Sequence, residues 1–351
     1  MAFPSKPLTQ LHGSNGPVHA LAYSSSPSTY ILAGSADRCI RLYNPSRPAP
    51  ETTSNPLDPP RATQLIKTYT AHGYEVLDIS VAQDNATFAS VGGDRSVFLW
   101  DVARGQTIRR FGQHNHGHNA RVNSVTFAGV GDSVLISGSF DATVRIWDVK
   151  SQNSKPVVVL DDAKDSISCV LVGTGWGGEH EILTGSVDGR VRCYDIRMGR
   201  LHTDVIGASV TSLQRTRDGK GVLVGALDST IRLMDRDGGG LLKAYKADTW
   251  KNSEFRLRST FGGNERWVLC GNENVNGDDG EVVVWDTLTG NIAEKIRVAG
   301  SKAEGKKKIG RDGKEREKQN VISCVAWKEN GRGDQWCCAG IDGLVTVFGF
   351  A

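Results

Sequence analysis

An all-β fold, a seven-bladed β-propeller, is what this sequence predicts, and three observations carry the prediction. First, an Asp followed at +3 by Ile or Val, at +5 by an apolar residue and at +6 by an aromatic residue or Met occurs seven times. The Asp residues are Asp37, Asp94, Asp141, Asp188, Asp228, Asp279 and Asp342, and their +6 partners are Tyr43, Trp100, Trp147, Tyr194, Met234, Trp285 and Phe348. Second, the apolar +3 and +5 positions flank a polar +4 position, as at Arg41, Arg145, Arg192 and Arg232; this is the period of a half-buried strand and not of a helix. Third, successive Asp residues stand 40 to 63 residues apart, against about 40–45 for a four-stranded blade. Seven blades then use residues 1–351 as a single ring with insertions in the long intervals. A ring gives every blade interface its own core, so 351 residues form one domain beyond the size at which a single core stops growing.

In chain order, the first element is PLTQLHG. The last repeat ends at Phe348, close to the C-terminus, so this N-terminal strand is expected to complete blade 7 from outside and remove two exposed sheet edges. The interval 45–63 holds six Pro between Pro45 and Pro60, which support neither a strand ladder nor a helix. It reads as a loop between the third and fourth strands of blade 1, on the wider face. In blade 2, His72, Ser90, Asp94 and Trp100 stand where blades of the WD40 type hold a buried hydrogen-bonded set. Blade 3 repeats the set as His118, Ser137, Asp141 and Trp147. A His, a Ser and an Asp share the composition of a hydrolase triad. A catalytic site is not expected in copies, however, whereas buried polar groups always need partners, so the reading is structural. In blade 4 the His position falls on Ala163, leaving Thr184, Asp188 and Tyr194 for the network. Blades 5 and 7 lose the Ser and Trp positions to Val224 and Met234, and to Cys338 and Phe348.

Two motifs invite other readings. GTGWGG, residues 173–178, is a literal GxGxxG, but the following EHEILTGS is a strand, where a dinucleotide loop needs a helix; a hairpin loop is expected. Residues 299–320 are poor in apolar side chains, and 302–318 hold eight Lys or Arg against four Asp or Glu. This Lys-rich insertion between blades 6 and 7 is expected to be disordered. It also accounts for the net charge of +3, leaving the body near neutral.

The seven Cys form no CxxC pair and no zinc spacing, so neither a metal site nor a disulfide framework is indicated. An apolar run long enough to span a membrane and a signal peptide are both lacking. A soluble, intracellular protein in a reducing compartment is expected, with no membrane contact, no cofactor, no small-molecule substrate and no catalytic residues. On the narrower face, the loops entering the inner strands offer Tyr74, Glu75, Arg121, Lys164, Asp165, Trp250 and Arg256 as a candidate partner surface, since aromatic residues and Arg are favoured anchors. Phe255 reads equally as surface or core.

The segments HGYEVLD (72–78), HEILTGSVDGRVRCYDIRMG (180–199), GALDSTIRLMDRDGGGLLKAYK (225–246) and EFRLRS (254–259) resemble the mitogen-activated protein kinase organizer 1 family, also called the WD repeat domain-containing protein 83 family. The likeness spans nearly the whole ring; the Pro-rich and Lys-rich insertions depart from it. It implies a non-catalytic scaffold that gathers MAP kinase pathway components. The alternative it implies is a subunit of a spliceosomal ribonucleoprotein complex, with splicing factors as partners. RNA contact is expected to be at most indirect: cations in 302–318 are interspersed with Glu304, Asp312, Glu315 and Glu317, and no aromatic residue there can stack on bases.

Overall fold

The structure, a computed structural model, describes residues 2–47, 64–112, 116–173, 181–236, 238–275, 277–300, 308–309, 315–316, 320–328 and 334–350. Seven four-stranded antiparallel sheets form the blades of a β-propeller. In each, strands a to d run outward from the central axis, and neighbouring blades meet through their a strands. Blade 2 shows the pattern: Val76–Val81, Thr87–Gly92, Val97–Asp101 and Gln106–Phe111. The repeat motif supplies the b–c turn and strand c of every blade. In blades 1, 3, 4 and 7 the Asp carboxylate accepts a backbone N–H of the turn, that of Cys39, Thr143, Arg190 and Leu344; the +3 residue is buried in every blade, and the +6 residue in every blade but the fifth. Antiparallel order puts all b–c turns and d–a connections on one face, and all a–b and c–d turns on the other.

The ring closes as the sequence predicts. Lys6–Leu11 pairs antiparallel with Val345–Gly349 and becomes strand d of blade 7. Phe3 caps this seam within 6.0 Å of the rings of Trp267, Trp327 and Trp336, and the Trp336 indole N–H donates to the carbonyl of Pro4 at 2.8 Å. Residues 48–63 of the Pro-rich interval lie outside the described residues, between strands c (Cys39–Tyr43) and d (Leu65–Thr70) of blade 1. GxGxxG falls between the paired strands Ile167–Val172 and Glu181–Ser186, with residues 174–180 outside the described part. Of the Lys-rich interval, expected to be disordered, Lys308–Ile309 and Glu315–Arg316 pair antiparallel; the rest of 301–319 lies outside the described residues.

The core is a set of interblade layers. Each layer pairs the strand d residue opposite position +3 with the +6 residue of the next blade. Tyr69 meets Trp100 at 5.7 Å between ring centroids, and Phe111 meets Trp147 at 5.9 Å. Leu160 shares a cluster with Tyr194, Tyr245 with Trp285, Ile296 with Phe348, and Leu11 with Tyr43. Trp100, Trp147 and Trp285 are under 2% exposed. Burying ~150–250 Å² for each ring contributes roughly 4–6 kcal/mol of transfer free energy, so these layers are the main cohesion between blades.

The candidate partner face and the central channel

The recurring polar set sits under the face carrying the b–c turns. In blade 2, His72 Nδ1 lies 2.5 Å from Asp94 Oδ2 and Nε2 lies 2.7 Å from Ser90 Oγ, whose oxygen accepts the Trp100 indole N–H at 2.8 Å. Blade 3 repeats this with His118 Nδ1 at 3.1 Å from Asp141, Nε2 at 2.8 Å from Ser137 and Trp147 at 2.8 Å from Ser137. If Nδ1–H donates to the carboxylate, Nε2 accepts the Ser hydroxyl, and one relay satisfies every buried polar group. Burial alone would raise Asp141, but hydrogen bonds from His118, Thr143 and the Asn119 N–H hold it well below the usual carboxylate range. Burial, only partly opposed by Asp141, lowers His118. Ser90 and Ser137 are fully buried and bonded on both sides, so neither hydroxyl can reach a substrate carbonyl.

Blade 4 corrects the reading from sequence. Thr184 is fully buried and its Oγ1 has no hydrogen-bond partner among the described residues, while Asp188 turns to Arg192 at 2.6 Å, to the Ser186 hydroxyl and to the Lys164 N–H. Tyr194 contributes packing, in the layer with Leu160. The physical reason is substitution by a longer donor: where the His is missing, an Arg four residues after the Asp reaches back along strand c. Arg41 does so to Asp37 at 2.6 Å, and Arg232 to Asp228. Against burial, Arg41 and Arg192 bring Asp37 and Asp188 down to about 2. In blade 7, Asn320, two residues before strand a where the His stands four before it, donates from Nδ2 to Asp342 at 3.1 Å. The D-x-x-x-R spacing was available in the sequence and would have found the three Arg.

Trp250 is also corrected: it is 2% exposed and belongs to the core. Its ring stands edge-on to Trp285 at 5.1 Å and its N–H donates to Gly271 O at 2.7 Å, so an apolar site with its own acceptor removes it from the surface. Next to it, the buried Glu273 carboxylate accepts the backbone N–H groups of Ser253, Glu254 and Phe255 at 2.7–3.1 Å. This anion in a nest of donors fixes the EFRLRS stretch over the axis. No pattern in the enlarged turn NENVNGDDG pointed to it.

Arg256, expected on the surface, turns into the channel instead. The inner strands of six blades carry a β-bulge, which leaves the bulged residue outside the ladder. Arg256 donates to the bulge carbonyls of Asn123 (2.8 Å) and Thr211 (3.3 Å), and Arg258 to that of Leu77 (2.8 Å) and to Asp78 (2.6 Å). Asp78 further accepts the Ser124 hydroxyl at 2.8 Å. Two guanidiniums from blade 6 therefore tie blades 2, 3 and 5 across the axis. Burial, then the adjacent Arg258, lowers Arg256, whereas the Asp78 carboxylate raises Arg258 against its burial.

What stays exposed around the axis is concentrated on blades 2 to 4. Tyr74 is 60% exposed and lies over Gly93, where a Cβ would meet its side chain at 2.6 Å. Arg121 covers the exposed Phe140 ring at 5.0 Å. Lys164 and Asp165 are exposed beside Val187, Glu75 is half-buried, and Phe255 is exposed at the channel mouth. Phe140 and Val187 were missed by sequence reasoning. Both directly precede a turn Asp, and the b–c turn lifts that position onto the face.

Comparison with known proteins agrees with this architecture. The model for the WD domain, G-beta repeat, matches residues 5–44, 63–101 and 106–148. WD repeat domain-containing protein 83 of Homo sapiens is 40% identical, over 84% of this chain and 83% of its own length. Its counterpart in Rattus norvegicus is 39% identical over the same shares, and the homolog in Dictyostelium discoideum is 30% identical over 82% of this chain and 86% of its own. Repeat, ring and overall likeness agree: the chain belongs to the WD repeat domain-containing protein 83 family of WD40 β-propellers.

Proposed function

We propose that the chain is a non-catalytic scaffold that assembles protein components of a MAP kinase cascade through the face carrying Tyr74, Arg121 and Phe140. The single observation behind this reading is that exposed cluster. Two aromatic rings and a guanidinium, held on short turns of a rigid ring, lose little entropy on docking and suit the centre of an interface. Family membership supports a scaffold, and the seven sets of turns allow several partners at once. The reading places the protein in the cytoplasm and the nucleus.

The test is affinity purification of the tagged protein from native cells, with and without ribonuclease, beside the Tyr74→Ala/Phe140→Ala variant. Kinase-cascade proteins are expected with the parent protein and reduced about tenfold or more with the variant, since truncating an anchor aromatic costs about 2 kcal/mol. Recovery of splicing factors without kinases would overturn the assignment in favour of a ribonucleoprotein role, and their loss on ribonuclease treatment would mark an RNA bridge.

A further inference from the structure

Six of the seven interblade layers close with two large apolar residues, and the layer between blades 4 and 5 does not. The register places Asp204 opposite Val191, where other blades bury Tyr69, Phe111, Leu160, Tyr245, Ile296 or Leu11. The +6 residue facing it is Met234, where Trp, Tyr or Phe stands in the other blades. Both halves of the pair are lost at one interface, and a cavity of about 330 Å³ opens there, a size at which ligand pockets begin, about 300 Å³.

The lining is chemically divided. Leu183, Val224 and Met234 form an apolar floor. Among the described residues, the polar wall holds four carboxylates, Glu181, Asp195, Asp204 and Asp235, against two guanidiniums, Arg200 and Arg236, and the His202 imidazole, whose Nε2 lies 3.0 Å from Asp204 Oδ1. Arg236 is engaged by Glu181 Oε1 at 2.5 Å, while Glu181 Oε2 is buried with no hydrogen-bond partner among the described residues. Burial, and then the Glu181 carboxylate, push the Cys193 thiol in this wall up to about 11. One side of the opening is strand d of blade 4, Arg200–Val205, an edge strand with Leu201 and Val205 exposed. The other is the blade 5 c–d turn, where a Cβ on Gly239 would meet Asp204 Oδ1 at 2.8 Å.

We infer that this cavity is a peptide-binding site: an extended segment of a partner protein lies along the Arg200–Val205 edge, inserts one aromatic side chain between blades 4 and 5, and places a neighbouring Lys or Arg against the carboxylates. The aromatic ring restores the packing that Asp204 and Met234 abandon. The cation answers the carboxylate excess and the unpaired Glu181 oxygen, and edge addition supplies backbone hydrogen bonds. The site involves the c–d turns, on the face opposite Tyr74, and does not depend on the partner surface proposed above.

The experiment uses four fluorescein-labelled peptides with a central Trp or Ala flanked by Lys or by Glu, titrated against the full chain by fluorescence polarisation. The Lys-flanked Trp peptide is expected to bind about tenfold or more tighter than the other three. Asp204→Tyr/Met234→Trp refills the layer; it is expected to melt at a higher temperature than the parent and to lose about tenfold or more in affinity. Asp195→Lys leaves the floor intact and is expected to abolish the preference for Lys over Glu, which keeps the test decisive if the refilled chain does not fold. Equal binding by parent and refilled proteins, no preference among the peptides, or no binding of any peptide would each overturn the proposal.

Discussion

Ser137 accepts the Trp147 indole N–H and donates to His118, so its single oxygen terminates two buried groups. Ser137→Ala leaves both orphaned at about 1–3 kcal/mol each, and a loss of roughly 2–6 kcal/mol in urea unfolding is expected. Thr184 occupies the same strand position in blade 4 but has no partner to lose. Thr184→Val keeps the shape and deletes an unsatisfied hydroxyl, so the same measurement is expected to show no loss, or a gain of up to about 1 kcal/mol. One position, with the same small hydroxyl, has opposite energetics in two blades because only one of them kept its His. Ser137 and its partners His118 and Trp147 were legible in the sequence; the isolation of Thr184 was not, since Arg192 takes over Asp188 through a contact that the His–Ser–Asp–Trp pattern does not contain.

Among the elements, the N-terminal strand has the largest consequence. Terminal residues usually fray unless tied down, yet Phe3 is 7% exposed among three indole rings from blades 6 and 7. Phe3→Ala is expected to cost roughly 3–5 kcal/mol, as for other fully packed aromatic residues, and to raise aggregation by uncovering the Val345–Gly349 edge. Thermal unfolding with light scattering measures both; a loss under about 1 kcal/mol would show that the seam holds without this anchor. The b–c turns and c strands were readable in register because each contains its own signal. The segment from Trp250 to Ser259 was not, because its path is set by Glu273 and by bulge carbonyls in other blades, far away in the chain.

For the whole molecule, acid sensitivity follows from groups distributed around the ring. Asp37 and Asp188 sit at about 2 because, against burial, Arg41 and Arg192 favour the charged forms. Such carboxyls contribute stability that is complete above their unfolded value, about 3.9, and is lost as pH falls through the folded one. Burial lowers His118 and His19. Below about pH 6.5 the unfolded chain therefore takes up protons that the folded chain resists, and stability again falls on acidification. The melting temperature is expected to be level between about pH 7 and 8, to decline gently below about 6.5 and to drop steeply below about 4. Calorimetry across that range measures it, and Asp188→Asn should make the steepest limb shallower.

Periodicity, the turn Asp and the intervals between repeats determined the seven blades, their strand order and the closure by the N-terminal strand, because each is a local or regularly repeated signal carried by residues a few positions apart. Tertiary structure alone decided which residues cross between blades: Arg256 and Arg258 spanning the channel, Trp250 withdrawn into a layer, Phe140 lifted onto the face and Asp204 opposite a missing Trp. These outcomes depend on distances between segments brought together only by ring closure, where burial, charge pairing and bulge geometry choose among positions that look alike along the chain.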